Sequence, residues 1–451
     1  MNELVDVIRL VKRVGMRIDA MSEDLARDAG SVARSAQAVA DQAALYARAT
    51  PRVTRIATAA AGVLARWRWL RLAQAARSGS TALREEDHRD LARRVAGHAA
   101  ELRGGIAKLG QLASCRPDLI GPVWASELAA LQDEVPPVDG IKAVVDAELG
   151  DVLGSFDEAP IAAASLAQVH AATLPDGTSV VVKVQVPGIE DVIAADIAAL
   201  RAIAGMFGEI PGLDLPTLAT ELARALTEEL DYELEAASLK AYTGTAVVPE
   251  PVIATRRVLV MTRIVGERLT GWLETAPAPA RDRLIGELVG EVAEQILARG
   301  QVHADPHPGN FLVTEDGRLA LLDFGCVLSL SKAERAAYAR LIIAIAGGNT
   351  QSAATELTTL GFAADDPAQL VDLTTALIGA LRPGANTADI DWQAAIGDQL
   401  AQARQLGGLV IPRSFVLLGR VLASIAGLLA TYKPKLEIHP LIVRHLAAAI
   451  A

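Results

Sequence analysis

The spacing of apolar and polar positions changes along the chain, and residues 1–48 show a helical spacing. Leu4, Ile8, Val11, Ile18 and Leu25 stand three, four or seven residues apart with charges between them. This pattern predicts an amphipathic helix. Its apolar face either packs on its own domain or pairs with a partner helix as in a coiled coil, through which the chain would form a homodimer.

From about residue 151 the pattern changes to strands. The segment A-A-A-S-L-A-Q-V at 162–169 precedes a Pro175-Asp176-Gly177 turn, and a valine-rich strand with Lys183 at its middle follows. Because an unpaired buried lysine is costly, we expect Lys183 to meet an anion. Laid on the kinase pattern G-x-G-x-x-G-x-V, the first segment has alanine at each glycine position and predicts a stiff, alanine-rich phosphate loop.

Further elements follow in the order of a kinase domain. A strand at 257–264, which includes Met261, is predicted to end at Gly266 in a hinge that contacts adenine. Helices are predicted at 190–207, 215–242 and 281–299. Only helices rich in Ala and Leu are predicted after Cys326, without a long activation segment.

Residues 303–325 have the spacing of a phosphoryl-transfer site. Asp305 stands five residues before Asn310, and Asp323-Phe324-Gly325 follows after an alternating strand and an E-D-G turn. Asn310 and Asp323 offer the hard oxygen ligands that magnesium prefers, and Asp305 is placed to orient or deprotonate an attacking hydroxyl or water.

A zinc site at the same stretch is the rival interpretation. His303 and His307 stand four residues apart, which suits zinc only when both lie on one helical face. Pro306 and Pro308 oppose a helix here, so the sequence favours the phosphoryl-transfer interpretation.

Composition narrows the choice of class. The chain has 451 residues, and 43 Lys+Arg against 54 Asp+Glu give a net charge of -11, which argues against a nucleic-acid-binding protein. A hydrophobic content of 51% with only 4% aromatic residues favours many packed helices. Two cysteines are too few for a disulfide framework, and the longest apolar run, Val421–Tyr432, is too short to span a membrane. We therefore expect a cytoplasmic protein.

A basic segment stands out against the acidic chain. Residues 42–84 hold eight arginines and no acidic residue, and Arg66-Trp67-Arg68-Trp69-Leu70-Arg71 alternates cations with tryptophans. This composition suits peripheral attachment to an anionic membrane at its inner face. The alternative is a basic helix that covers acidic groups of the same protein.

Taken together, the motifs resemble those of the UbiB/aarF-type atypical kinases, the family that includes the coenzyme Q biosynthesis ATPases. The resemblance covers about residues 85–435 and has six motifs in the family's order. The matching residues are Lys108-Leu-Gly-Gln111, Ala162-Ala-Ala-Ser165, Lys183, Glu229-Leu-Asp231, His303-Ala-Asp-Pro-His-Pro-Gly-Asn310 and Asp323-Phe-Gly325.

The resemblance implies an α+β, protein-kinase-like bilobal fold. It divides the chain into a helical N-terminal extension at 1–84, a helical extension bearing the K-x-G-Q motif at 85–150, an N-lobe at 151–265 and a predominantly α-helical C-lobe at 266–451.

The resemblance also implies a function and a set of roles. We expect binding of ATP or ADP with Mg²⁺, kinase or ATPase activity, and a role in ubiquinone biosynthesis or in other isoprenoid quinone or membrane lipid metabolism. Roles are carried over by position. Lys183 and Glu229 form the ion pair at the phosphates, Asn310 and Asp323 bind magnesium, and Asp305 is catalytic. The residues expected to line the nucleotide are Ala162, Ala163, Ala164, Ser165 and Met261, and those expected to form a layer over the substrate side are Lys108, Gln111 and Asp231.

Two other functions remain open at this point. A small-molecule phosphotransferase of the aminoglycoside or choline kinase type has a similar catalytic loop but lacks the K-x-G-Q helix. A nucleotide-binding scaffold without turnover need not keep Asp305, Asn310, Asp323 and Lys183 together.

Overall fold

The structure is a computed structural model that describes residues 50–78, 83–102, 104–114, 120–129, 131, 136–207, 215–305, 308–378, 384–392 and 410–450. The amphipathic helix and dimer surface predicted at 1–48 lie outside these residues. The chain forms two compact units: Met1–Pro136 with Ala164–Leu166 and Val186–Thr227, and Pro137–Ala163 with Ala167–Gln185 and Glu228–Ala451.

Helices and strands both contribute, with helices in the majority. The helices are Thr50–Ser78 (α1), Glu85–Leu102 (α2), Gly104–Ser114 (α3), Pro122–Leu128 (α4), Ile141–Leu149 (α5), Ile189–Phe207 (α6), Leu215–Glu229 (α7), Tyr232–Ala241 (α8), Leu269–Thr275 (α9), Ala278–Glu294 (α10), Lys332–Ala346 (α11), Thr350–Thr359 (α12), Pro367–Ile378 (α13), Arg413–Tyr432 (α14) and His439–Ile450 (α15). The strands are Ser155–Ala163 (β1), Ala167–Thr173 (β2), Ser179–Gln185 (β3), Pro251–Ala254 (β4), Val258–Thr262 (β5), Gly266–Arg268 (β6), Gln301–His303 (β7), Phe311–Thr314 (β8), Leu319–Leu321 (β9) and Val327–Ser329 (β10).

The first unit is a set of helices packed on short apolar seams. Ile56 of α1, Leu102 of α2 and Ala199 of α6 form one buried cluster. Beside it, Arg52 of α1 donates two hydrogen bonds to Asp196 of α6, whose side chain is fully buried. This ion pair joins two helices that are far apart in sequence.

In the second unit a five-stranded antiparallel sheet has the order β1-β2-β3-β5-β4. The valines of β3 alternate, so Val180, Val182 and Val184 point into a core that Val145 of α5 closes. Lys183 is therefore directed to the opposite face of the sheet. The predicted turn after β2 is confirmed, because Gly177 has a φ of 85°, which a residue with a side chain rarely adopts.

The hinge region differs from its prediction. The predicted strand at 257–264 ends at Thr262, and Gly266 instead begins β6, which pairs with β8. A Cβ at Gly266 would lie 2.5 Å from the carbonyl oxygen of Val313, so close strand pairing requires glycine there.

The helix predicted at 215–242 is also divided. Asp231 accepts hydrogen bonds from the backbone N–H groups of Glu233 and Leu234, and this N-cap starts a new helix, α8, at Tyr232. The second unit continues with a three-stranded sheet (β6-β8-β9), a two-stranded sheet (β10-β7) and helices α11–α15.

Candidate active site

Lys183 lies at the middle of β3, between Val169 of β2 and Leu259 of β5 in register. Its Nζ donates to both carboxylate oxygens of Glu235 at 2.8 Å and to Asp323 Oδ2 at 3.2 Å. The expected partner Glu229 is therefore wrong, because the ion pair of Lys183 is made with Glu235, six residues further on.

The position of Glu235 explains why it meets the lysine. On α8 it shares a buried face with Tyr232, Ala236 and Leu239, at helical spacing, and its side chain is 2% exposed. A glutamate within an apolar stripe must be paired when buried. That stripe was the sequence signal for Glu235, and the single-helix prediction for 215–242 obscured it.

The charges around Lys183 keep it protonated. Burial by itself would lower the pKa of this ammonium, but the carboxylates of Asp323 and Glu235 outweigh burial and hold the pKa well above its usual value. The Nζ also lies 5.3 Å from the centroid of the Tyr232 ring. Lys183 is thus a fixed, buried cation that faces two carboxylates.

Two pairs of hydrogen-bonded strands bring the predicted catalytic loop, 303–310, close to the loop that begins at Asp323. In the β7–β10 pair His303 stands opposite Val327, and Ala304 N donates to Cys326 O at 3.0 Å. Across the β8–β9 hairpin, Leu322 N donates to Asn310 O at 3.0 Å. Asp305, Asn310 and Asp323 all lie at the ends of these paired strands.

Asn310 closes the catalytic loop with its amide. Its Nδ2 donates to the backbone carbonyl of Asp305 at 3.1 Å, and no described residue donates to its Oδ1. The hydrogen bond therefore fixes the amide and leaves its carbonyl oxygen as a ligand atom.

Asp323 is the more exposed of the two carboxylates that contact Lys183. Its Oδ1 accepts from Gly325 N at 2.8 Å, its Oδ2 faces Lys183, and its side chain is 42% exposed. Its backbone carbonyl accepts a hydrogen bond from His303 Nε2. Burial lowers the pKa of His303, and its Nδ1 is buried without a hydrogen-bond partner, so the ring is neutral with its proton on Nε2.

A buried polar network holds the start of the catalytic loop, and sequence reasoning missed it. After α10 the chain makes one π-helical turn, Gln295–Arg299, and Gln295 Oε1 accepts from His303 N at 2.9 Å. Gln295 Nε2 donates to Glu291, which also accepts from the hydroxyl of Tyr242. Extra-wide helical turns of this kind are frequent at functional sites.

The donor atoms fit magnesium better than zinc. Asn310 Oδ1 and the Asp323 carboxylate are hard oxygens, and two protein ligands suit an ion that keeps several of its waters. Among the described residues no group of three or more His, Cys, Asp or Glu side chains could hold a metal ion. His303 is engaged with the Asp323 carbonyl, and its predicted zinc partner His307 lies outside the described residues.

The predicted phosphate loop is the tight connection between β1 and β2. Ala162 and Ala163 end β1, Ala164 is exposed, and Ser165 is buried. No residue from 162 to 169 has a positive φ, in keeping with alanine in place of glycine. Met261 lies opposite Val181, and its side chain is buried in the core.

The K-x-G-Q residues belong to the first unit. Lys108 and Gln111 lie on α3, and Gln111 Nε2 donates to Leu131 O at 3.2 Å. Asp231 serves as the N-cap of α8 in the second unit. The predicted covering layer of Lys108, Gln111 and Asp231 stays a prediction.

Residues 50–78 of the basic segment form the long helix α1, and part of the charge of this helix is paired inside the first unit. Arg52 pairs with Asp196, and Arg66 pairs with Asp90 of α2 at 2.9 Å. Trp69 is nevertheless 53% exposed, and the guanidinium of Arg66 lies over its ring. In the part of the chain that the structure describes, no helix combines the length and apolar character needed to cross a bilayer.

A family model matches the part of the chain that holds the candidate site residues. Residues 130–357 match the model of a family described as the ABC1 atypical kinase-like domain. This segment contains Lys183, Glu235, Asp305, Asn310 and Asp323.

Several relatives are similar over most of the chain. A chloroplastic aarF domain-containing protein kinase of Arabidopsis thaliana is 33% identical over 369 residues, which is 75% of this chain and 52% of the relative. Protein MT0675 of Mycobacterium tuberculosis is 30% identical over 360 residues, 71% of this chain and 70% of the relative. The chain spans about half the length of several curated relatives that it matches.

A solved structure supports the fold. The complex of Rv3197 with erythromycin from Mycobacterium tuberculosis aligns with a TM-score of 0.55 at 22% identity, over 78% of this chain and 94% of that one. At this identity the likeness concerns the fold alone.

Proposed function

Because the chain belongs to the UbiB/aarF-type family of ABC1 atypical kinase-like proteins, we propose that it is an ATP- and Mg²⁺-dependent atypical kinase or ATPase. The observation that carries the proposal is the contact of Lys183 with Glu235 and Asp323, beside an Asn310 whose carbonyl oxygen is left as a ligand atom. A buried cation between two carboxylates, one of them half-exposed, is arranged to receive a polyphosphate and its metal.

Each side chain has a role that follows from its contacts. Lys183 donates to the nucleotide phosphates while Glu235 fixes its position. Asn310 Oδ1 and Asp323 would hold magnesium, which would offset charge on the phosphates. Asp305 orients the attacking hydroxyl or water. The bilobal arrangement and the contact of the alanine-rich loop with phosphates belong to this proposal.

The phosphoryl acceptor is proposed to be a small or lipidic molecule, or water. The family resemblance supports a role in isoprenoid quinone or membrane lipid metabolism. The exposed Trp69 and the arginines of α1 support peripheral attachment to an anionic membrane. The ion pairs of Arg52 and Arg66 support the alternative that α1 covers acidic groups of its own unit. Flotation with anionic vesicles decides: if Trp69→Ala and Arg55→Gln bind like the wild type, α1 is not the attachment surface.

The proposal is tested with Asp323→Asn and its matched control Asp316→Asn, which alters an exposed carboxylate in the β8–β9 turn. Magnesium-dependent phosphate release from ATP is measured with and without anionic liposomes and quinone precursors. We expect Asp323→Asn to lower turnover by about 10²-fold or more, because it replaces a charged carboxylate ligand with a neutral amide, which binds the metal more weakly and no longer attracts Lys183 as an anion. The Asp316→Asn variant should turn over like the wild type.

Other outcomes point to other functions. Turnover that is insensitive to Asp323→Asn would overturn the metal site. Tight binding of a fluorescent nucleotide without any turnover would support a scaffold.

A further inference from the structure

Asp305 has an ion-pair partner that the sequence did not reveal. Arg420, on α14, donates from Nη2 to Asp305 Oδ1, and the two side chains are each 26% exposed. No described residue donates to the other carboxylate oxygen, Oδ2. The arginine thus fixes Oδ1 of the carboxylate, and Oδ2 has no donor among the described residues.

The charges around the site give this contact its significance. Burial raises the pKa of the nearby Cys326 thiol to about 12, and the charges that act on this thiol include those of Arg420, Asp305 and Asp323. Carboxylates and the arginine therefore share this part of the molecule. Phosphoryl transfer brings further negative charge into such a site. Lys183 is engaged by Glu235 and Asp323, and the catalytic loop from 303 to 310 contains neither Lys nor Arg. Among the described residues, Arg420 is the cation that contacts Asp305.

The helix that presents Arg420 is well anchored. Leu418, Val421 and Leu429 of α14 are buried in the main core of the second unit. Asp305 sits between β7 and the segment that leads to β8, and the Asn310 amide holds its backbone carbonyl. Both ends of the ion pair are therefore fixed, which lowers the entropy cost of keeping the Asp305 carboxylate in one orientation.

We propose that Arg420 is a positioning residue of the phosphoryl-transfer site, which acts by orienting Asp305 and offsetting its charge. With Oδ1 held by the guanidinium, Oδ2 faces the acceptor and takes its proton as the acceptor oxygen bonds to the γ-phosphorus and ADP leaves. The inference rests on the proposed function. It also extends the site beyond the family segment 130–357, because Arg420 comes from a helix outside it.

The test uses the full chain with Arg420→Gln, Arg420→Lys and a matched control, Arg340→Gln. Arg340 makes an ion pair with Glu356 at 2.7 Å in the same unit, and its side chain is exposed. For each variant we would measure kcat and KM for MgATP hydrolysis, the Kd of a fluorescent ATP analogue, and the thermal midpoint.

We expect Arg420→Gln to lower kcat by about 10- to 100-fold, because a misplaced catalytic group loses about this much. The nucleotide Kd should change less than about twofold, since Lys183, Asn310 and Asp323 are untouched. Arg420→Lys should recover part of kcat, because it restores the charge without the planar fork. Arg340→Gln should leave kcat, KM, the nucleotide Kd and the thermal midpoint unchanged.

A double variant identifies the route of the effect. If Arg420 acts through Asp305, Asp305→Asn with Arg420→Gln is no slower than Asp305→Asn alone. Wild-type kcat in Arg420→Gln, or equal loss of kcat and nucleotide affinity, would overturn the inference. If Arg420→Gln does not fold, Arg420→Met takes its place, because it keeps an apolar side chain on α14 without the charge, and a wild-type kcat in that variant would also overturn the inference. Absence of turnover in the wild type would instead overturn the proposed function.

Discussion

The Arg52–Asp196 pair of the first unit and the Lys183–Glu235 pair of the second are both buried, and their surroundings differ. In the first unit Arg52 binds both oxygens of Asp196 at 2.7 and 2.8 Å and also donates to the carbonyl of Leu102. A Cβ on Gly105 would lie 2.5 Å from Asp196 Oδ2, so the carboxylate is closely enclosed. The pair is sealed by protein groups on several sides.

In the second unit Lys183 binds Glu235, but the same Nζ also reaches Asp323, whose side chain is 42% exposed. Nearby, His303 Nδ1 is buried without a partner. A pair with a half-exposed third member can exchange one partner for a ligand, whereas a sealed pair can only hold helices together. Both pairs are buried and charged, so burial and charge do not distinguish an ion pair that can bind a ligand from one that only stabilises the fold. The solvent exposure of the surrounding groups is what differs between them.

Replacing the acidic partner of Lys183 is expected to have the largest effect. Glu235→Gln leaves the ammonium held by Asp323 alone, so it is no longer fixed at the phosphates. Turnover of ATP should fall about 10²-fold. Glu233→Gln, an exposed change on the same helix, is the control.

Glu229→Gln sharpens this result. The variant leaves both carboxylates on Lys183, so its loss of turnover should be smaller than that of Glu235→Gln. A larger loss of turnover in Glu229→Gln than in Glu235→Gln would contradict the assignment of Glu235 as the functional partner of Lys183.

The residues around Lys183 and Glu235 show how much of the site can be predicted from the sequence. Asp305, Asn310 and Asp323 are predicted from their spacing, because strands and tight turns transmit short-range spacing into geometry, and the register of β7–β10 and β8–β9 holds their loops side by side. Lys183 is predicted from its place in the valine-rich strand β3, and its hydrogen bond to Asp323 joins it to them. Glu235 was missed because one N-cap, Asp231, restarts the helix and changes which face is buried.

Arg420 could not be predicted from spacing at all. It reaches Asp305 from 115 residues away, through packing of α14 on the core. A contact of this kind depends on tertiary packing, which local patterns do not encode. Its one trace in the sequence is that Arg420 is the only charged residue between Ser414 and Tyr432, in an otherwise mostly apolar helix.

Breaking the sealed pair should cost stability. Asp196→Asn turns an amide toward Arg52 and leaves the guanidinium without its anion. We expect the free energy of unfolding of the first unit to fall by about 3 kcal/mol, at the low end for a broken buried pair because Arg52 is 20% exposed. Urea unfolding followed by tryptophan fluorescence measures it, and Trp67 and Trp69 of α1 report on this unit.

Asp191→Asn is the matched control, because it changes an exposed carboxylate on the same helix α6. Its effect should stay within about 0.5 kcal/mol. The comparison would fail if Asp196→Asn kept full stability and lost nucleotide turnover, since the first pair would then be functional.

The smallest expected effect concerns His303, whose Nε2 donates to the Asp323 carbonyl and whose Nδ1 is buried without a hydrogen-bond partner. Burial lowers its pKa from the usual 6.5, and the buried Nδ1 has no acceptor for a second proton. As the pH falls below 6.5, the unfolded chain binds a proton at His303 before the folded protein does. The stability that the neutral ring contributes is therefore present above pH 6.5 and is lost as the pH falls toward the lowered pKa.

The measurement compares the free energy of unfolding of the wild type and His303→Asn between pH 7.5 and 5 at constant ionic strength. The wild type should lose up to about 1.4 kcal/mol per pH unit more than the variant within this window. His98→Asn, a partly exposed histidine of α2, controls for loss of a histidine elsewhere. Equal slopes in the wild type and His303→Asn would mean that the folded protein protonates this ring as readily as the unfolded chain. The contrast with the Arg52–Asp196 pair would then rest on the solvent exposure of Asp323 alone.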